Sequence, residues 1–583
     1  MKMKISHILQ RGTVLSVAAV LAISCNDAYL ERYPLSDLSP ENYFTNENEL
    51  ATYCNRFYSE NLPDIVTSIT STVDQGDDIA ATTVPVEYSG LRYTPGSGGG
   101  WSWSALRSIN FFLGHSSNCD DAVARRTYDA VARFWRAWFY FEKLKRFGEV
   151  PWYDTVIEQN DTESLMKARD SRDLVYSNII TDLDYAIEYA PDTKDACTVS
   201  RWTAMLLKTR ACLFEGTWRK YRGQDGWETM LEDCAETADE MMRTGGYSLY
   251  TGSDRPYADM FLMNRPCEEF ILAKTFNNTL SMNHYLNLHI QGPSYSHPSM
   301  TRAMFLSYLC SDGTRYTERE GYATEDFYES TQDRDPRLSQ SIRTQGYTYP
   351  GSETVLQPVF SDTETCYQLS KYVTNTTTVN GDNCLPYMRY AEVLLNFAEA
   401  KAELGTLSQS DIDRSVKLLR DRVGMPNMDL DDAIANPDPF LADQYPNVTG
   451  AYKGAILEVR RERRVELFLE GFRYYDIMRW KEGQLFTRTC HGAYIAGTGE
   501  YDLDNDGDTD VVFYSGDRPE AEGSVEYVDI SRFTLSDGSS GEIVVNPDIR
   551  RVWDEDRDYL YPIPLEDLRL NTNLVQNPKW ETE

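Results

Sequence analysis

Positive charge is in short supply in this sequence. Lys and Arg number 57 against 91 Asp and Glu over 583 residues, a formal net charge of −34. A surface that acidic repels phosphate backbones and anionic headgroups, which argues against nucleic acid or acidic lipid as partners and favours neutral or cationic ligands. Histidine is scarcer still, with six residues. No HExxH, GxSxG or P-loop pattern occurs, so the common zinc, serine-nucleophile and nucleotide sites are not written here. His284, His289 and His297 lie near one another in sequence, but at spacings that match no helical ligand pair. The 11 cysteines include no CxxC, and Cys212 and Cys234 fall in helical patterns, where a buried free thiol is the ordinary expectation. Beyond the N-terminus there is no long apolar run, so no later segment reads as transmembrane.

The N-terminus is the exception. Lys2 and Lys4 precede an apolar run over 14–23, too short to span a bilayer and suited to a signal-peptide core. It leads into Leu21-Ala22-Ile23-Ser24-Cys25, which resembles a bacterial lipobox; Ala22 stands three residues before the cysteine and Leu21 one further back. Residues 1–24 are therefore expected to be a lipoprotein signal peptide, and Cys25 the acylated first residue of the mature chain. Asp27 and Glu31 resemble the acidic tether that sends lipoproteins of Bacteroidetes-type bacteria to the cell surface.

At 41% hydrophobic and 12% aromatic residues the composition is globular. Helical periodicity dominates. Over 128–147, Val131, Phe134, Trp138, Phe141 and Leu144 recur at three- and four-residue spacings. Similar faces predict helices over 170–190, 202–218 and 228–244, one marked by Met388, Ala391, Leu395, Ala398 and Ala402, another over 409–423, and a last over 455–480. Helices in pairs with short Gly/Pro connections predict a mainly α, tetratricopeptide-like scaffold. The stretches 247–379 and 490–546 are rich in Gly, Pro, Ser, Thr and Tyr, and are expected as long irregular loops with small β elements that carry the ligand site.

Ordered short motifs along the whole chain are similar to those of the SusD/RagB family. They include Tyr33-Pro34-Leu35, Trp103-Ser104-Ala105-Leu106-Arg107-Ser108-Ile109-Asn110, Arg146-Phe147-Gly148-Glu149-Val150-Pro151-Trp152, Arg334-Asp335-Pro336-Arg337-Leu338, Gly471-Phe472-Arg473 and Tyr561-Pro562-Ile563-Pro564. The resemblance implies a helical region over 25–250 and a family C-terminal region with loop insertions over 251–583. It also implies a function: a surface-exposed lipoprotein of the outer membrane that captures oligo- or polysaccharide and hands it to a TonB-dependent, SusC-like transporter. A glycan-degrading enzyme on a helical scaffold and a peptide-binding tetratricopeptide-like receptor remain open alternatives, the first because so acidic a chain can supply a carboxylate pair.

Sugar rings pack their C–H faces on aromatic planes, and their hydroxyls seek directional hydrogen bonds. Tyr88, Arg92, Tyr93 and Trp101 in one stretch, and Tyr285, Tyr295 and His297 in another, offer these groups. In the family, one early and one mid-chain loop supply the aromatic arc. Within Gly96-Ser97-Gly98-Gly99-Gly100-Trp101-Ser102-Trp103, Trp103 is expected in the core at the start of a helix capped by Ser102, and Trp101 as the ligand platform. The run Arg460–Arg464, interleaved with Glu458, Glu462 and Glu466, reads as a partly buried ion-pair network with Glu458–Arg461 and Arg463–Glu466 as partners. Asp502, Asp504, Asp506, Asp508 and Asp510 alternate around Gly507 and suit a structural calcium ion, although Phe513 stands where an EF-hand needs glutamate. No catalytic cofactor is expected.

Overall fold

A computed structural model of the protein describes residues 43–292, 297–374, 380–520 and 523–580. Cys25, and with it the expected signal peptide and lipid anchor, lies outside them, as does Tyr295.

The helical body begins with α1 (Glu47–Asn61) and α2 (Ser104–His115), followed by the long α3 (Ala122–Phe147). Asp121 caps α3 by accepting from the Val123 and Ala124 amides, and Gly148 ends it at φ 74°. Then come α4 (Arg172–Tyr189), α5 (Arg201–Lys220) and α6 (Trp227–Thr244). Successive helices pack side by side, α3 on α4, α4 on α5 and α5 on α6. The last contact is close: a Cβ on Gly216 of α5 would sit 2.8 Å from the Leu231 side chain of α6. After a long excursion the chain returns as α7 (Tyr390–Glu403), which packs on α6, and α8 (Lys453–Glu466), which packs on α7. The helical core thus takes residues from both halves of the chain, from Phe44 to Ile563.

Helix boundaries differ from the sequence expectation where charge or φ intervenes. Met388 belongs to a strand, and α7 starts only at Tyr390. The helix expected over 409–423 is two short ones, Gln409–Asp413 and Val416–Asp421. The one expected over 455–480 breaks after Glu466 and resumes as α9 (Arg473–Trp480). Leu469 and Gly471 turn at φ 61° and 80°, and the turn delivers Glu470 to Arg389 and Lys371, each at 2.7 Å. A continuous helix would forgo those buried pairs.

Small sheets complete the molecule, gathered around a second apolar core. Strand β1 (Ile79–Ala80) pairs antiparallel with β3 (Ser299–Met300), and β2 (Phe270–Lys274) with β4 (Leu385–Arg389). Towards the C-terminus β5 (Cys490–Ile495), β10 (Gly541–Val545) and β9 (Thr534–Leu535) form one sheet in the order β5-β10-β9. A second contains β6 (Gly499–Tyr501), β7 (Val511–Tyr514) and β8 (Glu526–Asp529), with β7 and β8 parallel. A short helix, α10 (Leu565–Leu570), follows.

The acidic and basic residues of α8 fasten the two cores together. Glu466 is fully buried and takes Arg389, Arg422 and Arg337 at 2.7, 2.6 and 3.1 Å. Glu462 takes Arg337 and Arg420. The Glu458–Arg461 pair forms at 2.9 Å as expected. The Arg463–Glu466 pair does not, because Arg463 turns to Asp476 of α9 at 2.8 Å. The arginine-rich run is structural, with each buried charge matched by a partner from another element.

Candidate functional site

The glycine-rich stretch is pinned, not free. Arg146 of α3 donates to the Gly99 carbonyl at 3.0 Å, and Lys143 donates to that of Gly100. From the other side the Leu565 and Glu566 amides of α10 donate to Pro95 and Gly96 carbonyls at 3.0 and 2.9 Å. Gly100 sits at φ 89°, where an added Cβ would meet Arg146 Nε at 2.9 Å, so both the turn and the close approach require glycine.

This clamp sets the two tryptophans, and differently from the sequence expectation. Trp101 is 6% exposed and stands edge-on to Phe147 at 4.8 Å and to Trp103 at 5.3 Å. It is a core residue with one side on a cavity. Trp103 is only partly buried and is the more open ring. The Ser102 cap is absent: α2 starts at Ser104 with Trp103 at the cap position and no side-chain cap bond, and the Ser102 hydroxyl instead lies 3.3 Å from that of Ser104.

Both indoles line a cavity of about 660 Å³ between α2, the segment 151–166 and α10, within the size range of small-molecule sites. Tyr153 supplies a third ring, 5.7 Å from Trp103 at 80°. Leu106, Ile157, Leu165 and Leu570 add aliphatic surface. The polar residues divide into two groups. Asn110 donates to the Tyr153 and Thr155 carbonyls at 3.0 and 3.2 Å, Arg107 to Ile157 at 2.8 Å and Asn571 to Lys167 at 2.8 Å, so these shape the wall. The Trp101 and Trp103 indole N–H groups, by contrast, find no partner among the described residues. Burial, and then the neighbouring Glu566, push the Asp567 carboxyl on this wall upward from its ordinary value. The cavity thus offers flat apolar faces, unspent donors and a carboxyl.

Tyr88 does not belong to an accessible site, and Arg92 only walls a small cleft. Tyr88 is 2% exposed and stacks on Phe486 at 4.8 Å and 5°, so it has no ring face to offer. Arg92 is buried, donates to the Asp558 carbonyl at 2.6 Å and lies over the Tyr561 and Trp580 rings. It ties the loop to the C-terminus. Tyr93, beside them, is 71% exposed at a cleft of about 160 Å³. Tyr285 is half exposed, near a turn that also displays Leu280 and Met282. His297 sits at φ 48°, and its buried Nδ1 has no partner among the described residues. The Ala80↔Ser299 pairing brings the start of the early loop and the end of the mid-chain loop to one end of a two-stranded sheet.

Three of the five expected metal ligands converge. Asp502, Asp504 and Asp510 place carboxylate oxygens within 4.8 Å of one another in the β6–β7 loop. Asp506 and Asp508 are exposed and outside that group, and Asp506 Oδ1 accepts from the Asp508 amide at 2.8 Å. Asp502 gathers the Asn505 and Gly507 amides at 2.6 and 2.8 Å, and Asp504 keeps a buried, unpartnered Oδ1. Burial, and then repulsion from Asp504 and Asp502, raise the Asp510 carboxyl, an environment that a cation would relieve.

The sequence model of the SusD family matches residues 270–580, more than half of the chain. The protein belongs to the SusD family. It is 24% identical over 510 residues to a SusD-like protein P2 of Formosa agariphila, covering 80% of this chain and 90% of that protein. A solved SusD-like carbohydrate-binding protein from Bacteroides fragilis superposes with a TM-score of 0.68 at 19% identity, over 91% of this chain and 99% of that one. A surface glycan-binding protein A from Bacteroides fluxus gives 0.54 at 18%, over 92% and 100%. At these identities the structural likeness carries the fold: the helical body with small sheets is that of SusD-like proteins.

Sequence reasoning missed Trp103 as the open ring, and with it Tyr153 and Asp567. Their shared wall depends on contacts between residues 43 and 404 positions apart, Asn110 to Tyr153 and Asn571 to Lys167, for which the local sequence holds no signal.

Proposed function

We propose that this SusD-family protein is a non-catalytic receptor that binds an oligo- or polysaccharide in the groove walled by Trp103 and Tyr153. The observation that supports this most is the open Trp103 ring, edge-on to Tyr153, with its N–H unspent in a cavity that the Asp567 carboxyl also lines: a flat face for C–H groups and polar atoms for hydroxyls. Trp101 contributes its cavity-facing side, while Tyr93, Tyr285, Tyr295 and His297 are proposed as further contacts of a longer chain. Membership of the SusD family, and the carbohydrate- and glycan-binding proteins among its structural neighbours, support the same reading.

In this reading Cys25 carries the lipid that holds the protein on the outer membrane, facing outward, and a TonB-dependent SusC-like transporter receives the glycan. No helix among the described residues is long and apolar enough to cross a membrane, so attachment would rest on the anchor and the partner. A calcium ion on Asp502, Asp504 and Asp510 is proposed to order the β6–β7 loop. Affinity electrophoresis of protein starting after Cys25 across a polysaccharide panel tests the receptor reading. Retardation by at least one neutral glycan, without release of shorter products, is expected; no retardation, or cleavage, contradicts it.

A further inference from the structure

A second cavity, of about 200 Å³, lies apart from the groove, beneath β1 and beside β5. Ile79, Leu306, Leu485 and Phe486 give it apolar walls, and Arg302, Arg551, His491 and Glu542 give it polar ones. The charges on this wall do not balance. Asp77 is matched by Arg464 and Arg473, at 3.0 and 2.6 Å. Arg488 is matched by Asp443 at 2.6 Å. Glu542 has Arg302 Nε at 2.6 Å on one oxygen and His491 Nδ1 at 3.0 Å on the other, and Arg302 spends its remaining nitrogens on Tyr367 and Ala323. Arg551 is what remains. Its guanidinium lies 5.6 Å from the Tyr88 ring centre and makes no ion pair or hydrogen bond with any described residue. Arg551 is partly buried and lines the cavity without an acceptor among the described residues, whereas the buried arginines elsewhere in the fold are paired, as burial of charge requires. In a chain of net charge −34, an unmatched cation on a cavity wall is a site for an anion supplied from outside.

We propose that this cavity binds a sugar ring bearing a single carboxylate or sulfate, with Arg551 holding the oxyanion by its forked donors and the apolar walls taking the ring's C–H face. The two anions share this chemistry: each can present two negatively charged oxygens to the forked donors of one guanidinium. The cavity suits one small ring rather than a densely charged polymer, which the overall acidic field repels. The site is separate from the Trp103 groove and does not depend on it.

Isothermal titration calorimetry of protein starting after Cys25 decides, with methyl glucuronide, galactose 6-sulfate, methyl glucoside and sodium sulfate as titrants. Binding of one or both charged sugars at least about tenfold tighter than the glucoside is expected, and which of the two binds identifies the anion. Arg551→Gln should reduce that binding about tenfold or more with an unchanged melting temperature, since the side chain holds no ion pair in the fold. Arg551→Lys should restore part of it, and Trp103→Ala should leave it intact. The proposal is overturned if charged and neutral sugars bind alike, if sodium sulfate binds as tightly as the charged sugars, or if Arg551→Gln binds like the unmodified protein. Loss of the binding in Trp103→Ala would likewise overturn it, by moving the anion to the groove.

Discussion

The Trp103 and Tyr153 rings meet edge to face, their centroids 5.7 Å apart and their planes at 80°. The indole comes from the foot of α2 and the phenol from the segment that follows α3, and Asn110 of α2 ties the two elements together by donating to the Tyr153 carbonyl at 3.0 Å. The pair makes a corner with two aromatic surfaces, the proposed seat of a sugar ring. Its neighbour Trp101 has a different task, buried against Phe147.

Trp101→Ala is therefore expected to act on stability. Removing so large a buried side chain leaves a cavity and costs about 3–5 kcal/mol, read as a lower urea midpoint at unchanged slope. Trp103→Ala should cost distinctly less, since part of its ring is already in water. The reverse order of midpoints would show that the two tryptophans have been assigned the wrong roles.

Glu466 carries the junction of the two cores. Glu466→Gln removes the carboxylate that Arg389, Arg422 and Arg337 share and leaves them only Glu269, Glu470, Glu462 and Asp335, so the buried network is one negative charge short, for which a loss of about 3–5 kcal/mol is expected. Glu458→Gln, whose partner Arg461 keeps Asp438, should cost clearly less. Chemical denaturation of the two variants measures the difference.

Glu482 gives the pH dependence a definite sign. Burial pushes its carboxyl up to about 7, against about 4.3 in an unfolded chain. The folded state therefore holds this proton where the unfolded state has lost it, and the stability it contributes falls as pH rises from about 4.3 to about 7. In Glu482→Gln the neutral side chain can still accept from the Asn447 amide. Its melting temperature should gain on that of the unmodified protein between pH 5 and pH 8. A gap that narrows over that range contradicts the assignment.

Calcium on the β6–β7 loop makes a separate prediction. Adding calcium to chelator-treated protein should raise its melting temperature or slow proteolysis within residues 502–510, and Asp504→Asn should abolish the response. Asp508→Asn should respond nearly as the unmodified protein does, because Asp508 lies outside the converging trio. Equal effects of the two substitutions would count against the three-ligand site.

The fold and the site were legible in the sequence to different depths. Helices with one-sided apolar faces, such as α3 to α6, are written in local spacing, and the structure contains them with small shifts at the ends. The break between α8 and α9 was not legible, because it is enforced by Arg389 and Lys371, which lie at least 81 residues from Glu470. The same holds for the tryptophans. The sequence shows two indoles beside a flexible-looking loop, but the clamp of Arg146, Lys143 and the α10 amides on that loop is what buries one and opens the other. Tyr88 and Arg92 looked like loop aromatics and donors for the same reason, since their partners Phe486, Asp558 and Tyr561 are more than 390 positions away.

The central claim is that the Trp103 corner holds the glycan. Affinity electrophoresis of the unmodified protein and Trp103→Ala, on the neutral polysaccharide that retards the former most, tests it directly. The account predicts that Trp103→Ala migrates almost as in a glycan-free gel, a loss of about tenfold or more in affinity, equivalent to about 1.4 kcal/mol, with an unchanged far-UV circular dichroism spectrum. Undiminished retardation of a folded Trp103→Ala would contradict it.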